Sequence, residues 1–509
     1  MPKCVSKCQS LKIEHCNKTK YCKVVNGTKK NYCRLSNEYK MDSSCNPTRK
    51  LKKGEVISTT RKNGKKITEK LKKLKSQLNH LSVMKPISPL GPSSTERQLA
   101  LLTTICSDSG ECMALGREMD TMRNFFNGFT DFQYVEPPIK QIGKVSSNGF
   151  VKEIKYTREG YSSYAVLKSA RRRISDNLVY EYQVGQYINK QCNRFPCFVE
   201  TYELYYYNNK PSWDIMKNNP VIPQNILDTI MKEEKTIHYG KACKKGKNVA
   251  LLIQHVNGMT LQEMLFNPPH SRFINSELPF IILQIYFPLV VLIDTFTHYD
   301  LHLKNVLIYT LDNQKCIEYH YHFKNGKIIS FKSRYIAKII DYGRSFFDDK
   351  ESNMNSDKIY KELCKLKSCD PNCGESFGFG WLSEVMSKDY YYIDSTQKNN
   401  SHDLRLLNEM KILRIHKKLV NNFKKLFTRL IYTHEFGTQP LDPGYPNYIQ
   451  NIQDVVYSVI HSIETDASIY AGINRLYSGV QKIGDLHVYE DLPMQFIPTN
   501  VVNYGSSIP

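Results

Sequence analysis

The chain has 509 residues, enough for two or three domains or one large bilobal unit, and a formal net charge of +22. That excess is concentrated: residues 1–85 hold 23 Lys plus Arg against 5 Asp plus Glu, so the main body is nearly neutral. The 15 cysteines are odd in number and no apolar stretch follows Met1-Pro2-Lys3-Cys4, which argues against secretion and for a reducing compartment with mostly free thiols.

Residues 1–85 read as a basic, cysteine-bearing arm. Cys4, Cys8, Cys16, Cys22, Cys33 and Cys45 lack the paired C-x2-C knuckle of a zinc site, and a thiol-bearing polyanion-binding arm fits better. Lys62–Leu78 carries Leu71, Leu74 and Leu78 at helical spacing on a solvated face, and residues 86–95 form a Pro/Gly/Ser-rich linker. Gln98–Met122 is expected to be helical, with Cys106 and Cys112 packed on it.

From Ile142 to Val151 a turn bearing Gly143 and Gly149 joins two strand-like runs. Tyr164–Lys168 is a strand ending in a lysine. Asp176–Asn189 is a helix carrying Glu181, and Val249–Ile253 is an apolar strand running into Gln254-His255-Val256-Asn257-Gly258. After residue 260 the chain is expected to be mainly helical: Glu277–Phe296, Ser401–Thr433 and Ile452–Ile463. The apolar run Leu278–Phe296 is interrupted by Pro279, Gln284, Pro288 and Asp294, so it reads as a buried core helix and not a membrane span. Strands first and helices later give an α+β class with two lobes, divided as 96–255 and 256–509.

Two motifs carry chemistry. His298-Tyr299-Asp300-Leu301-His302-Leu303-Lys304-Asn305 has the pattern H-x-D-L-x-x-x-N, in which the Asp orients an attacking hydroxyl and the Asn, five residues on, holds a magnesium ion. Asp341-Tyr342-Gly343 follows the apolar run Ile336–Ile340 and supplies a second magnesium-type carboxylate. Two such motifs in this order point to phosphoryl transfer.

Taken with the glycine turn, the strand lysine and the helix glutamate, these motifs resemble the protein kinase fold. The form is the divergent one of kinase-like proteins of large nucleocytoplasmic DNA viruses, of the iridovirus type. The resemblance spans about Ile142 to Asp403, and is clearest in Asn177–Tyr182 and Phe195–Tyr202. It implies ATP and Mg2+ as cofactors, with Lys168 on the α- and β-phosphates, Glu181 paired to Lys168, Asp300 as catalytic base, and Asn305 and Asp341 as metal ligands. Ile142, Gly143, Gly149 and Val151 would cover the nucleotide. The backbone of Gln254 and Val256 would meet the adenine edge, with Ile253 behind, and Asp403 would tether the catalytic loop. His298 would be structural, and Glu153 and Glu200 are rival acids for Lys168.

There are departures from the pattern. Val145 stands near the middle glycine of the loop, and Tyr299 replaces the arginine before the catalytic Asp, which removes a partner for an activation-loop phosphate. His302 matches the form seen in choline and aminoglycoside kinases. About twenty extra residues follow Asn305, with Asn325-Gly326 as a hairpin tip, and no A-P-E follows Gly343. Gly185 stands where a packing side chain normally completes the spine. Cys364, Cys369 and Cys373 form a loop cysteine set or a metal cluster.

The resulting expectation is a viral protein serine/threonine kinase acting on a protein substrate in the host-cell cytoplasm, or packaged in the virion. The rival readings are a small-molecule kinase and a non-catalytic protein binding nucleic acid through its arm.

Overall fold

The computed structural model describes residues 22–26, 31–35, 39–41, 47–49, 106, 111–113, 118–129, 132–143, 149–170, 176–232, 249–312, 314–363, 380–382, 391–419, 421–432 and 448–491. Lys62–Leu78, the linker, and Cys364, Cys369 and Cys373 lie outside them. The chain divides into two compact units, Met1–Gly91 and Pro92–Pro509. In the first, Cys22–Asn26 pairs antiparallel with Asn31–Leu35, and Tyr39–Met41 with Pro47–Arg49. Cys22 is disulfide-bonded.

The second unit is α+β. Its first described helix is α1 (Glu118–Phe125); of the helix expected over Gln98–Met122, only Glu118–Met122 is helical among the described residues. Cys106 and Cys112 instead face one another in an antiparallel bridge closed by a disulfide, and Cys112 N–H donates to Ser162 C=O at 2.8 Å. This covalent link closes a short loop on a strand, which a continuous helix could not do. It also replaces two of the thiols expected to be free.

Strands β1 (Val135–Ile142), β2 (Gly149–Arg158) and β3 (Tyr161–Ala170), helix α2 (Asp176–Cys192), and strands β4 (Thr201–Tyr207), β5 (Val221–Ile222), β6 (Ile230–Lys232) and β7 (Val249–Gln254) follow. They build a seven-stranded antiparallel sheet in the order β6-β4-β7-β3-β2-β1-β5. β2 alternates buried and half-buried residues, the period-two pattern of a sheet with one face on a core. Leu178, Val179, Val184 and Ile188 seat α2 in that core. The helix comes so close to β4 that a Cβ on Gly185 would stand 2.1 Å from Thr201 Oγ1, so a hydrogen is all this position can hold. Thr201 fills the space where a spine side chain was expected.

The second half departs from the expectation of a mainly helical segment. Strand β8 (Gly258–Thr260) leads to helix α3 (Leu278–Val291), which is buried on all sides from Leu278 to Leu289. An apolar helix of this kind forms the centre of a core; it ends at Val291, and Phe296–Thr297 are already a strand. Next come β9 (Val306–Thr310), β10 (Lys315–His322), β11 (Ile328–Ser333), β12 (Tyr335–Ile339) and β13 (Phe346–Asp349). The stretch expected as one helix over Ser401–Thr433 breaks into a 3-10 turn at His402–Leu404, helix α4 (Arg405–Ile412), a second turn at Ile415–Lys418 and a helix at Asn421–Thr428. Helices α5 (Ile452–Thr465) and α6 (Ala467–Leu476) precede strand β14 (Gln481–Tyr489).

β8, β9 and β12 form one antiparallel sheet and β11, β10 and β14 another, in which β14 lies parallel to β10. The C-terminal strand supplies cover for β10 that only a distant segment could provide. Asn325 and Gly326 sit between β10 and β11 at the hairpin tip, where Gly326 adopts φ 79° and Phe323 N–H donates to Lys327 C=O. Among the described residues no helix is long and apolar enough to cross a membrane.

Candidate active site

Lys168 stands on β3 with Val151 beside it on β2 and Leu251 beside it on β7; Ile142 on β1 pairs in turn with Val151. Ile142, Val151 and Lys168 therefore lie in one row across the sheet. Gly143 closes β1 at φ 63°, a left-handed conformation that favours glycine, and Gly149 opens β2. Residues 144–148 lie outside the description.

The Lys168 ammonium is 2.9 and 2.8 Å from the two Glu181 oxygens and 2.8 Å from Asp341 Oδ1. Burial would lower its pKa, but the two carboxylates outweigh it and raise it, so the lysine stays charged. Burial also opposes charge on Asp341, yet the adjacent Lys168 holds that carboxyl down at about 2. Glu181 is pushed upward by burial against the pull of Lys168. Of the three acids considered for the lysine, Glu181 is the one that reaches it. Glu153 faces His255 Nδ1 at 3.5 Å, and Glu200 is paired with Arg123 on α1.

Asp300 and Asn305 lie on the loop between Thr297 and β9. Asn305 is buried, and its amide donates to the Asp300 carbonyl at 2.9 Å and lies 3.4 Å from Asp300 Oδ2. With the nitrogen so engaged, its Oδ1 is the atom free to meet a cation. The hard oxygens of Asn305 and Asp341 suit magnesium in kind. Asp403, buried in the 3-10 turn that precedes α4, accepts from the backbone N–H of His298 and of Tyr299, both at 2.9 Å. These bonds fix a loop in which Tyr299 has φ 61°. Burial raises the Asp403 carboxyl to about 7 against the two donated N–H groups. His298 is fully buried, donates from Nε2 to Ile340 C=O at 3.0 Å, and is lowered by burial to about 4, which favours the neutral ring. Tyr299 OH donates to Gln397 C=O at 2.8 Å.

Two site residues were not legible in the sequence. Arg405 on α4 places Nη1 2.6 Å from Asp300 Oδ1, and its side chain is only 8% exposed. Arg344 lies beside both Asp300 and Asp341; burial depresses its pKa and the two carboxylates oppose that. Neither arginine belongs to a recognisable motif, and position 405 meets Asp300 only because α4 packs under the loop. His302 Nε2 is 3.7 Å from Asp300 Oδ1, and burial lowers its pKa against the Asp300 charge.

Behind the site, Tyr342 OH accepts from Val199 N–H at 2.8 Å and donates to Ile339 C=O at 2.9 Å. Tyr180 OH on α2 donates to the Ser345 carbonyl and accepts from Ser356 Oγ–H at 2.7 Å. The helix that carries Glu181 is thus tied to the segment that carries Asp341.

The Gln254–Val256 backbone is partly engaged within the protein. Gln254 N–H donates to Glu200 C=O at 2.8 Å, and Val256 C=O accepts from Gly258 N–H at 2.9 Å. Ile253 is half-buried on β7. Val256 belongs to a small apolar cluster with Val199 and Met113, against which Leu307, Tyr309 and Ile340 pack. Met113 is thereby a further residue that sequence reasoning did not place at this position.

No protein-family model matches this chain, and no curated protein matches it either.

Proposed function

We propose that this protein is an ATP- and magnesium-dependent phosphotransferase with a bilobal, protein-kinase-like arrangement, which transfers the γ-phosphoryl group to a serine or threonine hydroxyl of a protein. The observation that carries this reading is the Lys168 ammonium held within 2.9 Å of both Glu181 and Asp341. Thirteen and 173 positions separate these residues from the lysine, and a structural ion pair has no need to collect them beside an Asp300–Asn305 loop. Asn305 and Asp341 would hold a magnesium ion, which when bound would neutralise phosphate charge. Lys168 meets phosphate charge, and Glu181 keeps that lysine in place. Asp300 orients the acceptor hydroxyl through Oδ2, while Arg405 holds Oδ1.

Incubation with labelled ATP and magnesium tests the reading. Label should pass to a protein acceptor, and Lys168→Ala and Asp300→Ala should each abolish transfer. Nucleotide binding without transfer by the unaltered protein would overturn it. Transfer confined to a small metabolite would instead favour a choline- or aminoglycoside-kinase-like activity, a reading that rests on His302 beside Asp300. A viral origin, with the host-cell cytoplasm or virion as location, belongs to the same proposal. So does polyanion binding by the basic residues 1–85.

On this reading the cluster of Val199, Val256, Leu307 and Ile340 would take the apolar face of the purine, and Met113 covers it. Displacing a buried methionine costs about 1.5–3 kcal/mol. Met113→Ala should therefore tighten binding of a fluorescent adenine nucleotide by about 10- to 100-fold. Unchanged or weaker binding would make Met113 a wall of the pocket and not its cover.

A further inference from the structure

The sheet formed by β11, β10 and β14 has a feature unrelated to the phosphoryl site. Along β10, Tyr319 and Tyr321 point into the core while Glu318, His320 and His322 are half-exposed. Along β14, Leu486 and Val488 are buried while Asp485, His487 and Tyr489 are half-exposed. The parallel register sets Glu318 opposite Asp485, His320 opposite His487 and His322 opposite Tyr489. A Glu-x-His-x-His row therefore meets an Asp-x-His row on one face, across 165 residues of sequence.

The side chains converge. His320 Nε2 is 3.0 Å from Asp485 Oδ1, and His322 Nε2 is 2.9 Å from His487 Nδ1. The His320 and His487 rings stack with centroids 4.6 Å apart. The donor atoms of Glu318, His320 and Asp485 lie within 4.8 Å of one another. His320 Nδ1 is 2.8 Å from Ser330 Oγ, which orients the ring with Nε2 toward the carboxylate, the arrangement of an outer partner behind a metal-ligating histidine. Lys482 Nζ lies 3.0 Å from both Glu318 Oε2 and Asp485 Oδ1, so a cation already stands between the two acids.

We propose that Glu318, His320 and Asp485, with His322 and His487 alongside, form a binding site for a divalent transition-metal ion of the zinc, nickel or copper class, and that the ion fastens β14 to the sheet. Imidazole nitrogens with a carboxylate are the donor set such ions prefer. Lys482 is the competitor: its flexible, half-exposed ammonium would swing out as the ion enters.

Titration of the full-length protein with Zn2+, followed by calorimetry, reads the site directly, and Co2+ absorption separates it from cysteine sites elsewhere in the chain. One ion per chain should bind with nitrogen and oxygen ligation, without a thiolate-to-cobalt charge-transfer band. Zn2+ should raise the unfolding midpoint by about 2–4 °C. His320→Ala/His487→Ala should lose that ion, and Lys482→Gln, which leaves every ligand in place, should bind about 3- to 10-fold more tightly. Equal stoichiometry and affinity in the unaltered protein and the double variant would overturn the proposal. So would Co2+ binding solely through thiolates, or Lys482→Gln binding no better than the unaltered protein. None of these readouts depends on phosphotransferase activity.

Discussion

Asp300→Asn is expected to lower phosphoryl transfer by about 10³-fold while nucleotide affinity stays within about 3-fold of the unaltered value. The substitution keeps the size of the side chain and removes the proton-accepting charge. Lys168, Asn305 and Asp341, which would hold the nucleotide and its metal, are untouched. Arg405 supplies the companion experiment, because it contacts the proposed base Asp300. Its guanidinium holds Asp300 Oδ1 at 2.6 Å and on this reading would leave Oδ2 to an acceptor hydroxyl. Arg405→Met should reduce kcat by about 10- to 100-fold through loss of that alignment, with the KM for ATP unchanged. Arg405→Lys should recover part of the loss. Steady-state kinetics over both substrates decides the matter. A parallel rise in ATP KM, or no rescue by lysine alongside a collapsed unfolding midpoint, would reduce Arg405 to a packing residue.

Lys338→Met should stabilise the protein by about 3 kcal/mol at pH 7. Lys338 is fully buried on β12, and the oxygen its ammonium meets is the Phe198 carbonyl at 3.3 Å. Burial lowers its pKa from 10.5 to about 8. At about 1.4 kcal/mol per pH unit, that displacement corresponds to about 3 kcal/mol of lost stability when the lysine is charged. Between pH 8 and 10.5 the unfolded chain holds a proton that the folded chain has given up, so stability rises with pH in that window. Below pH 8 both states are protonated and the full penalty applies. Urea unfolding of the two proteins at pH 7 and pH 10.5 measures it. The gap between their midpoints should be widest at pH 7 and should close at the higher pH. A variant no more stable at pH 7, or a gap that does not change with pH, would show that the ammonium is solvated or paired in the folded protein.

Local features were legible from the amino-acid order. The strands around Gly143 and Gly149, the strand ending at Lys168 and the helix bearing Glu181 each follow from hydrophobic period and turn chemistry within a short window. The His298–Asn305 spacing is likewise confined to one loop. The strands of the second half were missed because β10, β11 and β14 alternate core residues with half-exposed polar ones and each is too short to bury a face alone. β10 is covered by β14 from far along the chain, and that cover shows in no local window. The Cys106–Cys112 bridge displaced an expected helix for a related reason: its stabilising partner, Ser162, lies on β3.

By itself the sequence determined which chemistry-bearing residues exist and in what order: Lys168, Glu181, Asp300, Asn305 and Asp341, each on an element its own neighbours specify. Only the tertiary structure decided which of them meet. It chose Glu181 over Glu153 and Glu200, set Arg405 against Asp300, lodged Met113 among Val199 and Val256, and aligned His320 with His487. The physical reason is range. Backbone propensity and periodicity act over a few residues, whereas pairing of charges and imidazoles across more than a hundred residues depends on how buried helices and sheets pack against one another.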